Sequence, residues 1–349
     1  MTTTAEVQAA PPGSSGTQRA KSRNQMVDMV KGIAIILVVL GHVGQGMNHR
    51  HLLDSAGYYL TENFIYAFHM PAFFFVAGLF LDRSLARRGP RGFAAEKLRT
   101  ILYPYLLWPL LTLPLLPWIS RYQASPPPPI LTYFKYLLLG QIGWFLYTLF
   151  FILMLAILTR RLPIWLRLLI AVPLSFFWPN TGHHGIDGIF WEYIFVVIGQ
   201  LVGSRISKLE GVNKWAAGLA CIALFAAIAG ATIHYGSLGL PKFLFIPLGL
   251  AGTAGLFLFA AANPVPFIAR TLAWFGEASI GIYLLAAYFQ GTARQILFQA
   301  FNTTAIPPHI ILQTLAATIF PALLYHNRKR LHVEWFFKMP IPKIRRQGS

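Results

Sequence analysis

Two histidines sit inside apolar stretches of this chain, each with polar company at helical spacing. His42 closes the run DMVKGIAIILVVLGH at 28–42. At about 100° per residue, Asp28, Lys31, Ile35 and His42 share one helical face. His42 lies roughly 21 Å along the axis from Asp28. Ionisable groups at such depth are costly and face a polar cavity or a partner. A neutral imidazole, with a free pKa of about 6.5, can take a proton from a hydroxyl near neutral pH. The plainer alternative is a helix–helix hydrogen bond for His42 and an interfacial anchor pair for Asp28 and Lys31. His69 lies in FHMPAFFFVAG at 68–78, two residues before Pro71, which lacks an N–H and frees a carbonyl. It is either a second working imidazole or a partner for freed backbone. Lys97 and Arg99, in EKLRTILYPY at 96–105, suit the phosphates of a polyanionic ligand. They also fit ordinary basic flanking of a membrane helix.

Weaker signals come from Trp144, at the start of an apolar run, and from Glu277, Ser279 and Tyr283 in another. Trp144, Glu277 and Tyr283 are candidates for holding a second substrate. Trp144 also fits an interface anchor, and Glu277 a snorkelling interfacial side chain. His183, His184 and Asp187 fall in a predicted loop, where solvated residues explain them better than a metal site. The single cysteine, Cys221, leaves neither a disulfide framework nor a cysteine metal centre.

The elements that must position these residues are membrane helices. The 349 residues are 56% hydrophobic and only 11% charged, against about 25% charged in soluble domains. Apolar runs fall at about 30–47, 58–81, 99–118, 138–158, 164–178, 189–204, 215–234, 242–262, 271–290 and 308–326. Most are long enough to cross a ~30 Å hydrocarbon core, and they lack the alternation of a membrane barrel. The fold class expected is all-α, a polytopic bundle of about ten spans. Residues 26–330 form its transmembrane domain. A polar disordered tail, 1–25, precedes it and a basic cytoplasmic tail, 331–349, follows.

The charge of +18 would suggest nucleic acid in a soluble protein. Here the basic residues cluster between apolar runs, which excludes that reading and points to anionic lipid at one leaflet. With ten spans and a cytoplasmic N-terminus, only Arg50, Arg121, Lys135, Lys242 and Arg294 of the 29 basic residues fall outside. Both termini are therefore expected in the cytoplasm, and the chain in a plasma (inner) membrane.

The blocks at 28–42, 68–78 and 96–105, supported by WFLYTLF at 144–150 and GEASIGIYLL at 276–285, resemble the acyltransferase 3 family of integral membrane O-acyltransferases. Within it they look most like the fucose 4-O-acetyltransferase-like branch. The resemblance covers roughly residues 25–330. It implies transfer of an acyl group, acetyl above all, from cytosolic acyl-CoA to a hydroxyl of an extracytoplasmic or lipid-linked glycan, with no metal. It implies that His42 is catalytic and that His69 belongs to the second-helix block. It implies that Arg99, ahead of the Pro-Tyr turn, meets the donor and that Asp28 and Lys31 are the polar start of the first helix; a cytosolic CoA thioester is then expected at Asp28, Lys31, Lys97 and Arg99, which border the cavity expected around that helix. The family more often has Arg where Lys31 stands, and many relatives carry a histidine where this chain has Ala286. A transporter or flippase of glycan precursors or lipids is the rival reading, because transporters also carry intramembrane histidines and broken helices. No internal repeat supports it.

Overall fold

A computed structural model describes residues 14–53, 55–119, 128–203, 205–206, 212–262 and 265–340. No strand occurs among them. The helices are α1 (Ser14–Asn48), α2 (Ser55–Tyr66), α3 (His69–Leu79), α4 (Leu81–Lys97), α5 (Tyr103–Thr112), α6 (Leu116–Ile119) and α7 (Ile130–Leu138). After these come α8 (Trp144–Leu158), α9 (Ile164–Phe177), α10 (His184–Val202), α11 (Lys214–Tyr235) and α12 (Lys242–Ala261). The last are α13 (Pro266–Glu277), α14 (Ser279–Gln299) and α15 (Ile306–His326).

The apolar runs are largely helical among the described residues, and large apolar side chains such as Leu158, Phe177 and Leu219 point outward, as a lipid-facing surface requires. Six helices among the described residues are long and apolar enough to cross a membrane unaided. Two further segments are bent pairs, one broken by 64° between Leu79 and Leu81 and one by 80° between Glu277 and Ser279. The shorter apolar helix α9 completes the set. The chain is a multi-pass, all-helical membrane protein.

Several boundaries differ from the sequence expectation. Helix α1 starts at Ser14, so residues 14–24 continue the first helix ahead of its apolar span, Gln25–Asn48. Good helix formers such as Gln18, Ala20 and Lys21 let it continue. Residues 1–13 lie outside the described residues. The expected run at 271–290 is two elements. Helix α13 is amphipathic, with Phe267, Ile268 and Arg270 exposed and Ala269, Ala273 and Gly276 buried, and α14 departs from it at the bend. Helix α4 is polar and kinked at Gly89, whose φ is +67° ahead of Pro90. The C-terminal stretch is not a free tail up to residue 340. Phe337 is buried, Trp108 Nε1 donates to the Phe336 carbonyl at 3.0 Å, and Lys338 pairs with Glu96 at 3.2 Å.

Close helix contacts set the frame around the first span. A Cβ on Gly32 would collide with the Leu272 carbonyl, and one on Gly276 with the Asp28 carbonyl. Gly78 and Gly199 are locked in the same way between α3 and α10. Small residues of this kind let backbones meet where lipid supplies no hydrophobic drive for association.

The contacts also sort the two ends of the bundle. Asp28 and Gly276, Trp274 and His326, and Glu96 and Lys338 meet at one end. Asn63 reaches the Gly236 carbonyl and Lys242 the Trp178 carbonyl at the other. The first end carries most of the arginines and lysines that the charge count assigns to the cytoplasm.

Candidate active site

Three cavities lie in series along the buried side of α1. The first, about 300 Å³, is bounded by Asp28, Lys31 and Lys97 together with α3 and α8 residues. The second, about 190 Å³, shares Lys31, Val76, Ala77 and Leu149 with the first and is almost wholly apolar. The third, about 340 Å³, shares Ile35, Val38, Leu146 and Tyr283 with the second and holds His42. The walls thus connect a charged rim to one imidazole. From Lys31 to His42 the path follows eleven residues of α1, roughly 16 Å.

At the rim, Lys31 Nζ lies 2.6 Å from an Asp28 carboxylate oxygen, one turn away on the same face. Lys97 Nζ sits over the Phe93 ring at 5.1 Å. Arg99 is elsewhere. Its Nη2 donates to the Met339 carbonyl at 2.7 Å and its Nη1 is 3.9 Å from Glu96. It borders a separate surface cleft with Leu102, Leu106 and Met339. Two residues apart on one helical course, Lys97 and Arg99 point about 200° apart and so emerge on opposite faces.

In the third cavity the His42 ring is open to the space. Its Nδ1 is 3.1 Å from Gln45 Oε1, and Gln45 Nε2 donates to Glu62 at 3.3 Å. Because the Glu62 carboxylate only accepts, the Gln45 amide turns its oxygen to the histidine. That assignment, read from the network, places the proton on Nδ1 and leaves the Nε2 lone pair for the cavity. The His42 carbonyl accepts from Gln290 Nε2 at 2.9 Å, which ties this turn of α1 to α14. Sequence reading missed Gln45, Glu62 and Gln290. The i+3 spacing of Gln45 from His42 could have found the first, whereas Glu62 and Gln290 meet it only through packing.

The other expected residues separate. Trp144 and Tyr283 line the third cavity with His42, and the Tyr283 ring packs edge-on to Phe145 at 5.3 Å. Ala286, where many similar chains carry a histidine, borders the same cavity. Glu277 is exposed at the α13–α14 corner, at the charged end, and lines none of the three cavities. His69 is only 2% exposed and lines none of them either. Its Nδ1 donates to the Ile65 carbonyl at 2.6 Å, bridging the break between α2 and α3, where a continuous helix would use the His69 N–H. The Tyr66 ring stands edge-on to His69 at 4.8 Å and lies against Gly41, so His69 is one ring removed from the His42 turn.

Asp187 belongs to the first turn of α10 rather than a solvated loop. It is fully buried and accepts from Trp178 Nε1, Thr181 N and Thr181 Oγ1. Among the described residues, no three His, Cys, Asp or Glu side chains form a group that could hold a metal ion.

Apolar helices of spanning length, with three wall-sharing cavities from Asp28, Lys31 and Lys97 to His42, define a membrane-embedded helical protein. The chain belongs to the acyltransferase family whose domain model, "Acyltransferase domain", matches residues 24–326. It is similar to the nodulation protein NolL of Sinorhizobium fredii, 35% identical over 104 residues, covering 29% of this chain and 28% of that one. It is also similar to the nodulation protein NolL of Mesorhizobium japonicum, 28% identical over 206 residues, covering 56% and 52% of the two chains. The match spans about half the length of these curated relatives or less. No solved structure matches the chain significantly.

Proposed function

We propose that the protein is an O-acyltransferase that moves an acyl group, acetyl above all, from cytosolic acyl-CoA to a hydroxyl of an extracytoplasmic or lipid-linked glycan. The observation that carries this reading is the series of wall-sharing cavities from Asp28, Lys31 and Lys97 to His42. The phosphates of CoA belong at the rim, where Lys31 and Lys97 stand in reach of water. The thiol arm then follows the apolar second cavity, which matches an uncharged chain. The thioester arrives beside His42.

Nε2 of His42 takes the acceptor hydroxyl's proton as the oxygen attacks the thioester carbonyl. The tetrahedral oxyanion collapses, the carbon–sulfur bond breaks, and the CoA thiolate receives the proton from the imidazolium. The products are the ester and free CoA thiol. Trp144 and Tyr283 hold the acceptor over the cavity. His69 assists by fixing the α2–α3 break and, through Tyr66, the turn that carries His42. Acyl-CoA hydrolysis by purified protein without acceptor, and its loss in His42→Ala, tests the assignment.

The same reading places the charged end in the cytoplasm of a plasma (inner) membrane, with α4 and α13 against anionic headgroups. A reporter fused after residue 236 should read outside. A cytoplasmic reading there would reverse the orientation and put the rim on the wrong side for a cytosolic donor.

A further inference from the structure

The wall of the third cavity includes Gln141, in the turn between α7 and α8. Several polar side chains of that wall are spent on the protein itself. Trp108 Nε1 donates to the Phe336 carbonyl and Thr112 Oγ1 to the Trp108 carbonyl, both at 3.0 Å. The Tyr105 hydroxyl donates to the Leu137 carbonyl. Gln141 differs, because only its nitrogen is committed. Its Nε2 donates to the Gly182 carbonyl and lies 3.2 Å from His183 Nδ1. A carbonyl only accepts, so the amide turns its NH2 to residues 182 and 183 and keeps Oε1 as an acceptor. His183 Nδ1 then accepts from that NH2, which places the ring proton on Nε2 by the same network reasoning as for His42. The pair thus presents one acceptor, Gln141 Oε1, beside one donor, His183 Nε2–H.

The loop that brings His183 to this place is firmly held. Asp187, fully buried in the first turn of α10, accepts from Trp178 Nε1, Thr181 N and Thr181 Oγ1 at 2.7–3.0 Å. Asn180 Oδ1 accepts from Gly182 N at 3.0 Å. Gly140 and Gly185 touch backbone to backbone, so that a Cβ on either would strike the other. Thr148 Oγ1 donates to the Gly185 carbonyl at 2.8 Å. Burying a carboxylate is costly unless its oxygens are bonded, and here those bonds fix a loop at the edge of the His42 chamber. Residues that bind with precision need such support from behind. Lys242 reaches the Trp178 carbonyl at 3.0 Å, which sets the loop at the end of the bundle opposite the charged rim. His183 itself is half-buried.

We propose that Gln141 and His183 bind the acceptor at the outer edge of the chamber, Gln141 Oε1 accepting from one of its hydroxyls and His183 Nε2–H donating to a neighbouring one. The substrate class is a molecule with adjacent hydroxyls, as a saccharide has. A hydroxyl is both donor and acceptor, so a vicinal pair satisfies both atoms where a lone alcohol satisfies one. The inference rests on the acyl-transfer reading and adds to it two residues that hold the acceptor by hydrogen bonds.

The test uses the full chain in phosphatidylcholine nanodiscs with acetyl-CoA as donor. Methyl glucoside, methyl galactoside and methyl mannoside serve as acceptors, and ethanol is the lone-hydroxyl control. Release of CoA thiol above the acceptor-free rate is followed against acceptor concentration. At least one glycoside acts with a lower KM than ethanol. Gln141→Leu raises that KM by about tenfold. Its kcat stays within about threefold, the sign of lost binding rather than lost chemistry. His183→Asn keeps an acceptor for the Gln141 amide and removes the Nε2 donor. It raises KM by about threefold, and it decides the matter if Gln141→Leu does not fold. Ethanol as good as all three glycosides, or a glycoside KM unchanged in both variants, overturns the proposal. So does a lower kcat at unchanged KM, which would move Gln141 from binding to chemistry. Wild type that consumes no acetyl-CoA under any of these conditions sinks the acyl-transfer reading and this inference with it. Wild type that acetylates a glycoside, with both variants unaltered, sinks this site alone.

Discussion

The rim of the passage and its inner chamber handle polarity in opposite ways. At the rim, Lys31 is paired with Asp28 and Lys97 leans on Phe93, so full charges are kept where solvent can reach them. Around His42 the nearest polar partners are neutral, Gln45 and Gln290, and the one carboxylate, Glu62, acts at second hand. Full charge is affordable beside water and grows expensive towards the bilayer core. The difference teaches where each half of the chemistry belongs. Under the proposed function a polyanion would be gripped at the edge, and the proton would move on a base whose tautomer is set by an amide.

Obstructing the link between the two regions should have the largest effect. Ser279 lines only the middle cavity of the three, and Ser279→Trp should reduce acyl transfer by at least about a hundredfold while leaving CoA binding measurable by calorimetry. Transfer at wild-type rates in that variant would show that the donor takes another route. Charge reversal at the rim comes next. Lys31→Glu or Lys97→Glu should weaken CoA about tenfold and reduce the salt sensitivity of what binding remains, and unchanged titrations would remove these lysines from the donor site. His69→Phe should cost about 0.5–1.5 kcal/mol of stability, because the Ile65 carbonyl keeps only the 3.5 Å bond from Phe68 N, read as a lower melting temperature, whereas His69→Gln keeps more activity than His42→Gln. A His69→Gln protein as inactive as His42→Gln would give His69 a direct part in the chemistry. The smallest effect belongs to Arg99→Ala. Its guanidinium serves the Met339 carbonyl and Glu96, so CoA affinity should stay within about threefold. A larger loss would show that the C-terminal segment yields Arg99 to the donor.

The sequence carried the helical class and the first-span constellation well, because apolar runs and a 3.6-residue period are local properties. Asp28, Lys31 and His42 on one face needed only counting, whereas the cavity that Trp144 and Tyr283 share with His42 comes from packing. Three features were out of reach for physical reasons. The partner of Arg99 is the Met339 carbonyl, more than two hundred positions away. Glu277 reads as an intramembrane acid only if 271–290 is one straight helix, and the 80° bend puts it at an exposed corner instead. The Gln45–Glu62 link and the Gln290 tether depend on which helices pack beside α1, and helix packing in lipid is decided by small-residue contacts such as Gly32 with Gly276.

The most direct test of the central claim is acyl-CoA turnover by purified His42→Gln in the absence of acceptor, with CoA binding measured on the same sample. Glutamine can keep the hydrogen bond to Gln45 but cannot take a proton. The account predicts CoA affinity near wild type and turnover lower by about 10²–10⁴-fold. Near-normal turnover in His42→Gln would contradict it, leave the histidine a structural role, and return the passage to the transport reading.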